Sequence, residues 1–477
     1  VSNGLIAYSE RHGYLGAEDS WDITEPQATL QKRLNGIISY GVLKPALVLN
    51  VSEKSAELLL KDKQTITLAW EGMSWAKPYK SVNRTGRAPK KAADVLKIGD
   101  LVRVREKEGT FHLSQVPNVQ GSLIALDPKT GAIVSLVGGF NFTHNKFNRS
   151  TQAVRQPGSN FKPFIYAATL DKGYSPASLI NDAPIVFHDT SLEGNWRPEN
   201  SSRKFYGPTR LRKALYKSRN LVSIRLLRAI GIPAAQDYLE LAGFDRSKLP
   251  NNLSLSLGSA DVTPLKLAAG YAAFANGGFK VEPFFIERVE DAFGEVLFTA
   301  QPKAACNPCT ETEGAENIAP RIFNEQVAFL IYNILQDVIR KGTGRKALVL
   351  NRKDIAGKTG TTNDQKDAWF SGFNQSIVTT TWVGFDQPKT LGRREFGGTA
   401  ALPIWIDFMR EALKDTPENP PKPPAGIVSV KIDPQSGKLA YPGQSDAIYE
   451  FFRRKNVPTN YAAPAGSGKS NVTEELF

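Results

Sequence analysis

The spacing of apolar and polar positions divides the 477-residue chain into regions of different period. Residues 1–30 show little pattern. Tyr8-Ser9-Glu10-Arg11-His12-Gly13-Tyr14 and Ala17-Glu18-Asp19 read as linker reaching to about residue 35, with a short helix over 27–34. From residue 45 to about 117, alternation of period two takes over. Residues 46–51, 56–60, 65–69 and 101–105 predict strands bounded by turn residues, Gly99-Asp100 among them. Residues 36–118 are therefore expected to form a small OB-like β-barrel.

The pattern changes again at residue 119. Residues 123–126 and 132–137 predict a hairpin around Asp127-Pro128-Lys129-Thr130-Gly131. Phe161, Phe164, Ile165, Ala168 and Thr169 follow helical spacing that Gly173 stops. Two helical patterns, 211–216 and 221–230, flank Ser218-Arg219-Asn220. Thr263-Pro264 starts a helix with Leu265, Ala268, Ala269, Ala272 and Ala273 on one face. Val327, Leu330, Ile331, Ile334, Leu335 and Val338 mark another, closed by Gly342. Strands return at 368–373 and 377–383, and Ile404, Trp405, Phe408 and Met409 mark a last helix. Residues 119–415 thus predict an α+β domain: an antiparallel sheet flanked by helices, with a helical lobe. After Asp415 a Pro-rich linker begins. Residues 416–477 read as linker and polar tail, with a small hairpin of 427–432 and 438–439.

Composition adds bounds. Hydrophobic residues make up 41% and charged residues 22%, ordinary for a soluble chain of two or three domains. The net charge of +13 implies affinity for anionic surfaces. No nucleic-acid motif accompanies it, and residues 84–91 are basic without interleaved aromatics, so no nucleic-acid partner is expected. No run of ~18 apolar residues predicts a membrane helix. The start at Val1, without a signal peptide, suggests an excised or processed fragment. Cys306-Asn307-Pro308-Cys309 is the only cysteine pair, in a Pro-containing loop. It reads as a local disulfide of an oxidising compartment, not as a redox or zinc motif. No His, Asp, Glu or Cys cluster has metal-ligand spacing, so neither metal nor cofactor is expected. His12, His112, His144 and His188 lie outside any Ser-His-Asp context. Gly466-Ser467-Gly468-Lys469-Ser470 has Ala463 where a phosphate loop needs its first glycine, and is rejected as one.

The candidate chemistry centres on Gly158-Ser159-Asn160-Phe161-Lys162-Pro163. Ser159 and Lys162 are three apart, one turn along a helix face. A serine hydroxyl needs a base to become a nucleophile, and a lysine of lowered pKa can serve. A helix N-terminus offers N–H groups to an oxyanion. Decoys exist. Ser-x-x-Lys also occurs at Ser74/Lys77 and Ser201/Lys204, Ser-x-Asn at Ser81/Asn83, and Lys-Thr-Gly at Lys129-Thr130-Gly131. Ser74 and Ser81 are too close to occupy a helix and a separate loop. Lys129-Thr130-Gly131 is a hairpin tip, and Ser201 lies in a polar loop. The coherent set is Ser159/Lys162, Ser218/Asn220 and Lys358-Thr359-Gly360, the last beside the strand at 368–370.

These three motifs resemble those of the serine acyl-transferases that recognise penicillin. Arg155-Gln156-Pro157-Gly158-Ser159, Asn195-Trp196-Arg197-Pro198-Glu199-Asn200 and Gly258-Ser259-Ala260-Asp261-Val262-Thr263-Pro264 narrow the resemblance to class A penicillin-binding proteins of the Gram-negative 1a type. Phe274-Ala275-Asn276-Gly277-Gly278 and Lys366-Asp367-Ala368-Trp369-Phe370 do so too. Arg219 stands where class A β-lactamases carry aspartate, which argues against a β-lactamase. The resemblance implies a transpeptidase that cross-links peptidoglycan stem peptides and is acylated by β-lactams. It implies Ser159 as nucleophile, Lys162 as base, Ser218 as proton shuttle, Asn220 as holder of the substrate amide and Lys358 as a cation that stays protonated. Thr359, Gly360 and Thr361 would line the carboxylate and oxyanion sites. It implies a full-length protein with a glycosyltransferase domain and a membrane anchor, held at the inner membrane in the periplasm, with cell-wall synthesis regulators as possible partners. This chain is expected to lack both segments. A carboxypeptidase or β-lactamase with water as acceptor, a β-lactam sensor, and a non-catalytic wall-binding scaffold are the competing readings.

Overall fold

The computed structural model describes residues 1–188, 195–306 and 315–464. It opens with α1 (Ser2–His12), where the sequence pattern predicts linker. Leu5, Ile6 and Tyr8 are buried in one cluster with Phe370, Ile404 and Trp405, so this helix completes the core of the larger unit. Tyr8 Oη donates to the Leu391 carbonyl and Ser2 Oγ to that of Phe140, both at 2.7 Å. Arg11 grips Glu395 with two hydrogen bonds of 2.7 Å. The helix is hidden in the sequence because Ser2, Asn3 and Gly4 are weak helix formers and its apolar stripe is short. Tertiary burial decides it.

α2 (Gln27–Gly36) covers a six-stranded antiparallel sheet. The strands run in the order Asp19–Ser20, Asp100–Lys107, Lys44–Val51, Ser55–Leu60, Thr65–Ala69, and Thr110–Ser114 also pairs with Asp100–Lys107. Leu47, Leu59 and Leu101 pack with Leu30 and Leu34 of α2. The intervening residues Ala46, Val48, Leu58 and Val102 pack with Leu68 and Leu113 on the other face. Alternation of period two supplies both faces, and all four strands expected here are present.

The larger unit is built on a five-stranded antiparallel sheet. Its order is Ile133–Val137, Gln120–Leu126, Val378–Gly384, Asp367–Phe373, Ala356–Thr361. One face meets the helical lobe: α3 (Lys162–Asp171), α4 (Leu211–Tyr216), α5 (Asn220–Ile230), α6 (Ile232–Leu241), α7 (Pro264–Ala275) and α8 (Glu325–Arg340). Trp369, Phe373 and Trp382 are buried there with Phe164, Tyr271 and Ile331. The other face carries Ala368, Phe370 and Val383 against α1 and α9 (Leu402–Ala412). Strands covered on both faces read as continuous burial. Thr263 caps α7 as expected, its Oγ1 accepting from Lys266 N at 3.2 Å.

At the C-terminal end, Ile427–Ile432 pairs with Ile448–Arg453. The expected partner, 438–439, makes only isolated bridges of Leu439 to Ile432 and Tyr461. The longer strand wins because Phe452 buries with Ile432 and Ala177, while Glu450 meets buried arginines. Arg212 Nε donates to Glu450 at 2.9 Å, its NH1 to Asp337 at 3.1 Å and its NH2 to Asn333 at 2.7 Å. The hairpin is thus fastened to α4 and α8. Among the described residues no helix is long and apolar enough to cross a membrane, and no cluster of acidic, His or Cys side chains could hold a metal. Cys309 and residues 466–470 lie outside the described residues, and with them the expected disulfide and the rejected phosphate loop.

Glu450 is 2% exposed, so Glu450→Ala should leave Arg212 short of its main partner. Uncoupling a buried pair typically costs ~3 kcal/mol or more. Urea unfolding of the full chain should show a loss near that value, with activity retained in the folded fraction.

Candidate active site

Ser159 sits on a tight turn, Gly158–Phe161, that runs straight into α3. In such a 3₁₀ turn residues three apart are eclipsed, so Ser159 and Lys162 share one face, as expected. Gly158 has φ +56°, and a Cβ there would lie 2.5 Å from the Thr361 carbonyl. A Cβ on Gly360 would lie 2.4 Å from the Pro157 carbonyl. These two glycines let the serine turn and the strand Ala356–Thr361 approach backbone to backbone. Trp369 Nε1 donates to the Gln156 carbonyl at 2.9 Å, and Tyr271 Oη to that of Asn160 at 2.6 Å, fixing the turn from the sheet and from α7. Ser159 is half-buried.

Ser218 lies between α4 and α5 with φ +58°, a left-handed conformation that costs a non-glycine residue ~1–2 kcal/mol. That conformation lets one residue hold two lysines. Lys162 Nζ donates to the Ser218 carbonyl at 2.9 Å and to Asn220 Oδ1 at 2.7 Å. Lys358 Nζ donates to Ser218 Oγ and to the Thr359 carbonyl, both at 2.9 Å. Both lysines are fully buried. Burial, then the neighbouring Lys358, hold the Lys162 amine well below its ordinary range; Asp182 pulls it back up and Arg219 pushes it down. Burial lowers Lys358 to about 7. Its described partners, the Ser218 hydroxyl and the Thr359 carbonyl, are neutral and do not offset that burial.

Thr359 is buried, its Oγ1 2.6 Å from that of Thr343. Thr361 Oγ1 accepts from Gly397 N at 3.0 Å, which leaves its own proton to donate. The eight predicted residues thus lie on three segments that meet: the serine turn with α3, the Ser218 link with the start of α5, and the edge strand. The decoys do not. Asp127 Oδ1 accepts from Lys129 N at 2.6 Å in the tip of a hairpin, and Ser81 lies on the short strand Tyr79–Ser81. Sequence reasoning missed Asp182, Thr343 and the role of Asn200. Asn200 Oδ1 accepts from Asn220 N at 2.8 Å. Its presence in Arg197-Pro198-Glu199-Asn200 was the available signal.

The sheet, the helical lobe and the three motifs define a penicillin-binding transpeptidase domain. The profile described as the penicillin binding protein transpeptidase domain matches residues 121–410. The penicillin-binding protein OB-like domain matches 14–119, and the C-terminal domain of penicillin-binding protein 1A matches 423–463. The chain belongs to the penicillin-binding protein family, in its 1A group. It is 47% identical to penicillin-binding protein 1A of Pseudomonas aeruginosa, over 98% of this chain and 61% of that protein. Identity to the Escherichia coli K12 protein is 38%, over 97% and 62%. The chain thus spans about six tenths of these relatives' length. The crystal structure of penicillin-binding protein 1A from Haemophilus influenzae superposes with a TM-score of 0.88 at 35% identity, over 97% of this chain and 71% of that one.

A lysine whose folded pKa is depressed binds fewer protons in the fold than in the unfolded chain. Stability then rises with pH through the window from about 7, for Lys358, to ~10.4. Lys358→Met should accordingly raise the Tm at pH ~6, and the gain should shrink by pH ~10. Calorimetry at both pH values checks this; an equal gain at both would mean that Lys358 does not titrate in that window.

Proposed function

We propose that this chain is a serine-type D-Ala-D-Ala transpeptidase that cross-links peptidoglycan stem peptides through an acyl-enzyme. The observation that carries the reading is Ser218, whose hydroxyl holds Lys358 and whose carbonyl holds Lys162, the lysine one helical turn from Ser159. Ser159 Oγ attacks the carbonyl between the two terminal D-alanines. Lys162, kept neutral by burial, takes its proton. Backbone N–H groups of Ser159 and Thr361 receive the oxyanion; one such donor is typically worth ~2.7–4 kcal/mol. The close approach of Gly158 to Thr361 supports this pairing. Ser218 passes a proton to the leaving amine, with Lys358 behind it. Asn220 holds the substrate amide, and Thr359 and Thr361 bind the terminal carboxylate. An amine of a second stem peptide then takes the acyl group.

A β-lactam mimics the D-Ala-D-Ala end and would acylate Ser159. The PonA1 protein of Mycobacterium tuberculosis, 27% identical with a TM-score of 0.54 over 65% of this chain and 82% of that one, has been solved in complex with penicillin V. For the intact protein we propose a periplasmic location, inner-membrane anchoring and an added glycosyltransferase domain. Within this chain we take residues 36–118 as the accessory unit and 119–415, joined by α1, as the transpeptidase unit.

Ser159→Ala should abolish labelling by a fluorescent penicillin, while Ser74→Ala and Ser201→Ala keep it. Retained labelling in the Ser159 variant would sink the assignment.

The two lysines should separate by pH profile. Lys162→Ala should nearly eliminate acylation from pH ~5 to ~10, having removed the base. Lys358→Ala removes a charge that holds Lys162 neutral. Its acylation should be slower, and the rise with pH should move upward. An unshifted profile would break the proposed coupling.

A further inference from the structure

We propose that Asp182 and Asn200 form a buried brace that places Asn220 against Lys162 and tunes the pH at which Ser159 reacts. The proposal rests on the reading of Lys162 as the base. Asp182 ends the strand Leu179–Asp182 and is fully buried. Its Oδ1 accepts from Asn200 Nδ2 at 2.7 Å, and the same Nδ2 donates to the Lys204 carbonyl at 3.0 Å. With both donors committed, Asn200 Oδ1 is left to accept from Asn220 N at 2.8 Å and Leu221 N at 3.5 Å. A side chain from another segment thus caps α5, whose N-cap residue Arg219 supplies no cap of its own. Asn220 Nδ2 donates to the Glu199 carbonyl at 2.8 Å. Its oxygen must then face Lys162 Nζ, 2.7 Å away. Three hydrogen bonds run from a buried carboxylate to the base.

The second part concerns charge. Asp182 Oδ2 has no hydrogen-bond partner, and neither has Arg219 Nε, 3.7 Å from it. Arg219 is instead stacked over Tyr206, its Cζ 3.3 Å from the ring centre. The ion pair is loose, so each member acts on its surroundings separately. Asp182 lies 3.7 Å from Arg219 and acts through its charge on Lys162 and Tyr166 of α3 and on Arg225 of α5. The charges that act on Lys162 are those of Lys358 from the sheet, Asp182 and Arg219. Asp182 favours the protonated amine and Arg219 the neutral one. The pair brackets the base with opposite signs, and neither residue touches Ser159.

The experiment is the acylation rate of the full chain by a fluorescent penicillin across pH, for wild type, Asp182→Asn and Arg219→Gln. Removing the carboxylate should move the midpoint of the profile to lower pH. Removing the guanidinium should move it to higher pH. Both plateau rates should stay within about threefold of wild type, since no group at the reacting bond is lost. A merely structural role would lower the plateau and leave the midpoint in place. Circular dichroism reports folding. Should Asp182→Asn fail to fold, Arg219→Gln decides alone, and an unmoved or lowered midpoint overturns the proposal. So do two midpoints moving the same way. An acylated wild type with unshifted variants defeats the brace only; an unacylated wild type defeats the transpeptidase reading and the brace with it.

Discussion

The constraint that organises this protein is the burial of two lysine amines against one serine. An uncompensated ammonium in a protein interior costs several kcal/mol. The usual remedy, a carboxylate in contact, is withheld here. The described partners of the two amines are neutral: two carbonyls, a hydroxyl and an amide oxygen. Such partners satisfy N–H geometry without paying back the charge. Burial therefore lowers both amines, and the charge of Lys358 lowers Lys162 further.

Holding that arrangement draws on parts of the chain far apart. Lys162 comes from α3, Ser218 from a left-handed link between two helices, and Lys358 from the edge strand of the sheet. The edge strand must touch the serine turn, which requires glycine at 158 and 360. Its far side is held by Gly397, whose N–H meets Thr361 Oγ1. The segment leading to Gly397 is tied by Glu395 to Arg11 of α1, and Arg393 N donates to Asn83 Oδ1 of the accessory unit at 2.7 Å. The N-terminal helix and the β unit therefore bear on the Thr361 side of the site.

Much of this was legible in the sequence where local pattern and tertiary burial agree. The strands between 46 and 105, α7 with its Thr263 cap and the stripe of α8 all follow from spacing. The three motifs were found because their flanks separated a helix start, a link between helices and a strand from turn-bound decoys. Illegible elements depend on partners distant in sequence. α1 has weak propensity and is stabilised by Ile404 and Trp405. The strand at 448–453 owes its place to Arg212 and to Phe452, which no local period announces. Asp182 carries no motif, and its meaning appears only when Asn200 and Asn220 meet it.

The lowered pKa of Lys358 bears on the proposed chemistry. Burial brings this amine down to about 7, toward the range where a nearby charge can decide its proton. On the proposed reading, the terminal carboxylate of the stem peptide docks at Thr359 and Thr361, next to this amine. An anion arriving there favours the protonated form of Lys358. Protonated Lys358 in turn disfavours a proton on Lys162, since both amines hang on Ser218. Binding the substrate would thus charge the cation and discharge the base in one step. On that same reading, Ser159 would be activated most when the substrate carboxylate is bound. On that reading a ligand without the carboxylate would not favour the protonated form of Lys358, and would react more slowly for an electrostatic reason, not a steric one.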